Sequence, residues 1–264
     1  MDKFKQVAID SALSAGHFIL EATKSVDQLE VTEKSMNDYV SEVDRHAEKL
    51  IFTALLEAFP DHSILGEEHG EQLGAEQRYQ WVIDPLDGTT NFLRSIPHYA
   101  VSIALLIDAQ VVLGVIYDPA KKDLFVAQKG GGAFLNKQPI RVSDSGGING
   151  ALLATGIPFS GDNLLNISSF TATMTDLLAL QTSGVRRLGA AALDLAYVAA
   201  GRYDGFWESN LKPWDIAAGI LLVTEAGGII SDLKGGDTFL QTGGVLAANK
   251  LVYADMLGVT KRHY

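Results

Sequence analysis

The segment Trp81-Val82-Ile83-Asp84-Pro85-Leu86-Asp87-Gly88-Thr89-Thr90-Asn91-Phe92 sets two carboxylates, a hydroxyl and a glycine into one short turn. An apolar strand runs into Asp84, and Pro85, which has no N–H to donate, is expected to end regular ladder pairing there. Such a turn can aim the Asp84 and Asp87 carboxylates and the Leu86 carbonyl at one point. Hard divalent cations such as Mg²⁺ prefer oxygen ligands of this kind. Gly88 lets a ligand approach the backbone closely, and Thr89 offers a hydroxyl and an N–H. If Thr89–Asn91 opens a helical turn, its first N–H groups make an anion site beside the cations. Taken alone, the segment reads equally well as a solvent-exposed Asp-Pro/Asp-Gly turn.

Two further segments bear on the choice. Gly66-Glu67-Glu68 follows a short apolar run, although paired glutamates are usually a solvated surface. Lys212-Pro213-Trp214-Asp215-Ile216-Ala217-Ala218-Gly219 runs on to Glu225-Ala226-Gly227-Gly228. Asp215 stands where a helix N-cap belongs, and capping alone would explain it. Neither segment is decisive by itself.

The ordered set G-E-E, D-P-L-D-G-T-T-N-F and W-D-x-A-A-G-x-x-x-x-x-E-A-G-G resembles the signature of the inositol monophosphatase family. The resemblance extends to Lys34, Asp38, Val40 and Asp44 upstream. It includes Lys129-Gly130-x-Gly132-Ala133-Phe134 in the middle and Arg187-Leu188-Gly189-Ala190-Ala191-Ala192 later. It covers nearly the whole chain.

The resemblance implies an α+β fold layered αβαβα and a homodimer. It implies two or three Mg²⁺ ions held by Glu67, Asp84, the Leu86 carbonyl, Asp87 and Asp215. Gly88 and Thr89 would bind phosphate through backbone N–H groups, and Thr89 with Glu67 would orient an attacking water. Asp44 would hydrogen-bond around Thr89, Lys34 would lie on a mobile loop near the metals, and Ala191 and Glu208 would contact sugar hydroxyls. The expected activity is Mg²⁺-dependent, lithium-sensitive hydrolysis of inositol 1-phosphate or a similar polyol phosphate, by in-line attack of a Mg²⁺-activated water. Fructose 1,6-bisphosphate and nucleotide phosphates are the alternatives, as is a binding role beside the transcription machinery with a transcription-factor partner. Ser41 stands where the animal enzymes have threonine. Thr155-Gly156-Ile157-Pro158-Phe159 and Leu211-Lys212-Pro213-Trp214 look bacterial in style.

The elements that must position these residues follow from periodicity. Phe4, Val7, Ala8, Ala12, Ala15, Phe18 and Ile19 recur at helical spacing. The polar stretch Glu30 to Tyr39 reads as a loop. A second helix is expected from about Ser41 to Phe59, with Ser41 and Asp44 resembling a capping box and Pro60 ending it. Strands are expected at His62–Leu65, Tyr79–Ile83, Val101–Ile107, Val111–Tyr117, Leu124–Gln128 and Ala133–Leu135. Asp108–Gln110 looks like a hairpin connection, and the glycines at 130–132 look like another. Beyond them, Ala151–Thr155, Gly205–Glu208, Gly228–Asp232 and Val245–Ala248 read as strands. Leu164–Leu180, Ala190–Ala200 and Ile216–Ala226 read as helices. Strands with helices grouped apart from them point to α+β layering, in one domain of two halves, approximately 1–145 and 146–264.

Composition narrows the chemistry. The 264 residues are 47% hydrophobic, enough for a sizeable core. A formal net charge of -11 without a basic run argues against direct nucleic-acid binding. An acidic chain can still bind a phosphate if its carboxylates hold cations. The absence of cysteine removes disulfides, thiolate nucleophiles and Cys-based zinc sites. There is no Walker loop or nucleophile elbow, and the six histidines show no metal-ligand spacing. No apolar run approaches the roughly 20 residues of a membrane span. A cytoplasmic protein without membrane partners is expected.

Overall fold

Alternating Val, Ile and Leu between short polar turns makes the first half of the chain a sheet. The computed structural model describes residues 1–28, 31–35, 38–158 and 165–264, leaving aside the side chains of 27–41. The chain begins with α1 (Asp2–Ala22), the antiparallel strands β1 (Val31–Ser35) and β2 (Asp38–Ser41), and α2 (Glu42–Ala58). The expected loop over Glu30 to Tyr39 is therefore corrected to a hairpin. Its pairing is backbone to backbone, so it needed no apolar alternation that the sequence could display. The Lys34 side chain and the Ser41 half of the expected capping box lie outside the described residues.

An eight-stranded sheet follows from β3 (His62–Gly66), β4 (Gly70–Gln72), β5 (Glu76–Asp87), β6 (Ala100–Ile107), β7 (Gln110–Asp118), β8 (Asp123–Gln128), β9 (Gly132–Leu135) and β10 (Gln138–Ile140). Its order is β10-β9-β8-β7-β6-β5-β3-β4, with β3 and β5 parallel and the remaining neighbours antiparallel. The short helix α3 (Thr89–Leu93) sits between β5 and β6. The β6–β7 turn uses Asp108 and Ala109 at φ 50° and 62°, the left-handed pair that matches the twist of a two-residue hairpin.

The second half supplies β11 (Leu152–Thr155), α4 (Ile167–Ala179), β12 (Gly184–Arg186), α5 (Ala191–Ala199), β13 (Gly205–Glu208), α6 (Pro213–Glu225), β14 (Ile229–Ser231), α7 (Phe239–Thr242), β15 (Val245–Ala248) and α8 (Tyr253–His263). The five strands take the order β12-β11-β13-β15-β14. Parallel pairs join β12, β11 and β13, and antiparallel pairs join β13, β15 and β14.

Three cores hold five layers together, αβαβα. Outside, Ala8, Ala12 and Ile19 of α1 and Ile51 and Leu55 of α2 cover Ile64, Trp81, Ile83 and Ile103. In the middle, α5 and α6 lie between the two sheets. Leu195 and Leu222 meet Val82, Ala104, Ile116 and Phe125 from one sheet and Ala154, Phe206 and Ala247 from the other. Leu177 of α4 and Met256 and Val259 of α8 close the far face over Leu153, Trp207 and Leu246. The period-two rule is visible along β5: Trp81 and Ile83 face the outer core while Val82 faces the middle one. All nine residues of α5 are buried, as a helix between two sheets requires. No helix among the described residues is long and apolar enough to cross a membrane.

Candidate active site

The end of β5 departs from regular pairing where the carboxylates begin. Against β6, the register runs Ile83↔Ile103 and Asp84↔Ser102, then skips to Asp87↔Ala100. Pro85 therefore sits in a bulge inside the strand, rather than at its end as the sequence suggests. The extra residue bends the strand and re-aims the flanking side chains. Asp84 is only 2% exposed, and its Oδ1 accepts the Leu86 N–H at 2.9 Å across the turn. Asp87 Oδ2 accepts the Ala192 N–H at 2.7 Å. That donor is in the first turn of α5, where N–H groups lack helix partners and a negative charge is favoured.

Gly88 follows at φ 95°, a left-handed conformation that glycine adopts without strain. A Cβ there would lie 3.0 Å from the His98 carbonyl and 3.3 Å from that of Gly189, a tight fit that adds to the strain of any side chain at this φ. Thr89 opens α3. Its hydroxyl lies 2.8 Å from Asp44 Oδ1 and 3.1 Å from the Leu86 carbonyl, two acceptors competing for one proton. Asp44, on the buried stripe of α2, thus reaches Thr89, a contact that the family resemblance implies. Asn91 ties the turn to the opposite lip of the cleft: its Nδ2 donates to His98 O at 2.8 Å and Leu188 O at 2.7 Å.

Asp215 is not the N-cap of its helix. Pro213 begins α6 and Lys212 caps it, so Asp215 is the third helical residue, with Oδ2 accepting the Lys212 N–H at 2.6 Å. The helix starts earlier than Ile216 because proline is favoured in a first helical turn. Ser102 on β6 donates to the Trp214 carbonyl at 3.2 Å, anchoring that turn to the first sheet.

A cleft of about 630 Å³ gathers Glu67, Asp87, Gly88, Thr89, Ala191, Glu208 and Asp215. Asp84 lies buried behind it, and the cleft wall also carries Arg94, Arg187, Lys212 and Tyr264. The carboxylates act on one another. Burial, then the charges of Glu67, Asp87 and Asp215, hold Asp84 well above the usual carboxylate range. Burial and Asp215 do the same to Asp87. Burial, with Asp215 next in effect, raises Glu208 to about 8.

An all-oxygen, mostly anionic donor set fits a hard divalent cation. As the side chains are oriented, Asp84, Asp87 and Asp215 each turn to a backbone N–H, and among the described residues no three acidic or histidine side chains close on one point.

Several contributors escaped the sequence reading. Asp194, on α5 behind the cleft, is 1% exposed with an unpartnered Oδ1, and burial lifts it well above the ordinary range. The Ala192 N–H and the Asn91 bridge depend on contacts 105 and 97 residues away in sequence. Glu48 carried a visible signal: a charge one turn after Asp44, beside the apolar stripe of Val43, Ala47 and Ile51.

Known proteins bear on this geometry. The chain is 46% identical to the Nus factor SuhB of Pseudomonas aeruginosa, across 100% of this chain and 97% of that protein. It is 45% identical to the inositol-1-monophosphatase of Mesorhizobium japonicum, across 97% and 95%. Its structure superposes on that of extragenic suppressor protein suhB from Bartonella henselae with a TM-score of 0.94, at 42% identity and 98% coverage of both chains. The model of the inositol monophosphatase family matches residues 1–263. With that match across nearly its whole length, the chain belongs to the inositol monophosphatase family.

Proposed function

We propose that the protein is a Mg²⁺-dependent phosphomonoesterase acting on inositol 1-phosphate or a similar polyol or sugar phosphate. The observation that carries this reading is the gathering of Glu67, Asp87 and Asp215, from three separate segments, around one cleft beside the Gly88–Thr89 turn, with Asp84 buried and feeling the charges of all three. Glu67, Asp84, the Leu86 carbonyl, Asp87 and Asp215 would hold two or three Mg²⁺ ions. Bound there, Mg²⁺ supplies positive charge against the phosphate and acidifies a water for in-line attack.

The remaining work falls to the chain. Asp44 takes the Thr89 proton in a hydrogen bond, which leaves the Thr89 oxygen lone pairs to accept from the attacking water. Glu67 shares in orienting that water. The N–H groups of Gly88 and Thr89, at a helix start, receive the phosphate oxygens. The Glu208 carboxyl and the backbone at Ala191, both on the cleft wall, contact the polyol hydroxyls. We place the protein as a homodimer in solution, working as a single domain of two halves.

A phosphate-release panel tests the reading. With Mg²⁺, inositol 1-phosphate is expected to turn over faster than fructose 1,6-bisphosphate or adenosine 3′,5′-bisphosphate, and the reverse order would reassign the substrate. A second role is favoured by the 46% identity to a Nus factor. Retention of RNA polymerase or its transcription factors on the immobilised protein would support it.

A further inference from the structure

Glu48 is wholly buried in α2, one turn after Asp44. A buried carboxylate needs hydrogen-bond donors, and this one takes them from a single turn. Its Oε1 accepts the Glu68 N–H at 3.0 Å and its Oε2 the His69 N–H at 2.8 Å. His69 Nδ1 also stands against Oε2; a carboxylate can only accept, so the ring donates. On the other side, the Glu67 N–H donates to the Ile83 carbonyl at 3.2 Å. The peptide bearing Glu67 is thus pinned between the strand that carries Asp84 and the helix that carries Asp44. Gly66 makes the pinning possible, because a Cβ there would collide with the Glu48 carboxyl and lie 2.7 Å from the Phe52 ring.

We propose that Glu48 is a positioning residue that aims Glu67 at the cation, by clamping the Glu68–His69 backbone. The inference rests on the phosphatase reading and deepens it. Glu48 is not among the residues that line the cleft. Replacing it with glutamine keeps the volume but turns an NH₂ group toward N–H donors, which loosens the turn. Groups that orient metal ligands typically govern about 10- to 100-fold in metal affinity.

The experiment measures Mg²⁺ uptake by titration calorimetry without substrate, on the full chain, together with melting in EDTA. Glu48→Gln is expected to weaken uptake about 10- to 100-fold. In assays it should raise the half-maximal Mg²⁺ concentration by the same factor, with KM near wild type. Gly66→Ala should weaken uptake with Glu48 still present, and His69→Ala, which leaves both backbone bonds, should weaken it less. A purely structural role would lower the melting temperature and leave uptake per folded molecule unchanged. If Glu48→Gln does not fold, Gly66→Ala decides by the same criterion. Normal uptake by Glu48→Gln, alongside weakened uptake by Glu67→Gln, would overturn this inference alone. No uptake by wild type, or normal uptake by Glu67→Gln, would overturn the metal assignment and the inference with it.

Discussion

The middle of β5, Trp81–Ile83, and its C-terminal end, Asp84–Asp87, are built on different chemistry. At Trp81-Val82-Ile83, every side chain is buried against an apolar partner on one face of the sheet or the other. Trp81 also gives its Nε1 proton to His62 Nδ1 at 3.1 Å and stacks on Phe59 with ring centroids 5.8 Å apart. From Asp84 to Asp87 the same strand carries one buried and one half-buried carboxylate that repel each other, each accepting a backbone N–H. The apolar stretch is complete as folded, whereas the acidic end, on the proposed reading, would be completed by a ligand of opposite charge. Stability and chemistry are thus separated along one strand by one bulge, and substitutions in the two stretches should fail in opposite ways.

The largest effect is expected at the carboxylate end. Asp87→Asn should lower kcat/KM by about a thousandfold or more, the several kcal/mol of charge stabilisation that a bound cation supplies. Its melting temperature in EDTA should hold or rise, because one of the repelling charges is gone. Trp81→Ala makes the converse change. It should cost about 3–5 kcal/mol in urea unfolding, with turnover per folded molecule preserved. If both variants lost stability and activity together, the division along β5 would not exist.

Glu208→Gln separates reading the polyol from performing the chemistry. Above pH 8, where Glu208 is ionised, losing a charged acceptor is expected to cost about 1.5–3 kcal/mol, or roughly 10- to 150-fold in kcat/KM, on a polyol phosphate. p-Nitrophenyl phosphate, which has no ring hydroxyls, should lose little. Equal losses on both substrates would move Glu208 into the catalytic machinery.

A pH series sharpens the comparison further. Glu208 has an ordinary pKa of 4.5 and stands at about 8 in the fold, and Asp84 and Asp87 shift the same way. Between those values the unfolded chain has released the proton that the folded chain retains. The contribution of Glu208 to the stability of the metal-free protein should therefore fall as pH rises from about 4.5 to 8, with Asp84 and Asp87 adding to the decline in the same direction. Saturating Mg²⁺ should flatten the decline, and melting curves in EDTA and in Mg²⁺ across that range check it. The smallest expected effect is partial inhibition by millimolar Li⁺ competing for one cation position, read from turnover at fixed Mg²⁺.

What the sequence disclosed was what is local. The stripe of α1, the β6–β7 hairpin and the Asp-Pro-Leu-Asp-Gly turn are set by spacing and turn chemistry within a few residues. α6 starts at Pro213, three residues before the Ile216 that the sequence suggests; Asp215 suits a cap as well as a third helical position. The β1–β2 hairpin was invisible because backbone pairing without apolar alternation leaves no period. Long-range partners were hidden for the same reason: nothing near Asp87 announces that its donor is Ala192, nor anything near Leu153 that its parallel partner is Gly205. Family resemblance, not periodicity, named Glu67, Ala191 and Glu208 as site residues, and the cleft brings all three together.

The central claim is that the acidic end of β5 becomes a catalyst only when a divalent cation occupies it. Phosphate release from inositol 1-phosphate by EDTA-stripped protein, titrated with Mg²⁺, tests it most directly. The expected result is no turnover in EDTA and a saturable rise with Mg²⁺ that Asp87→Asn does not show. Turnover in EDTA, or wild-type and Asp87→Asn proteins responding alike to Mg²⁺, would contradict it.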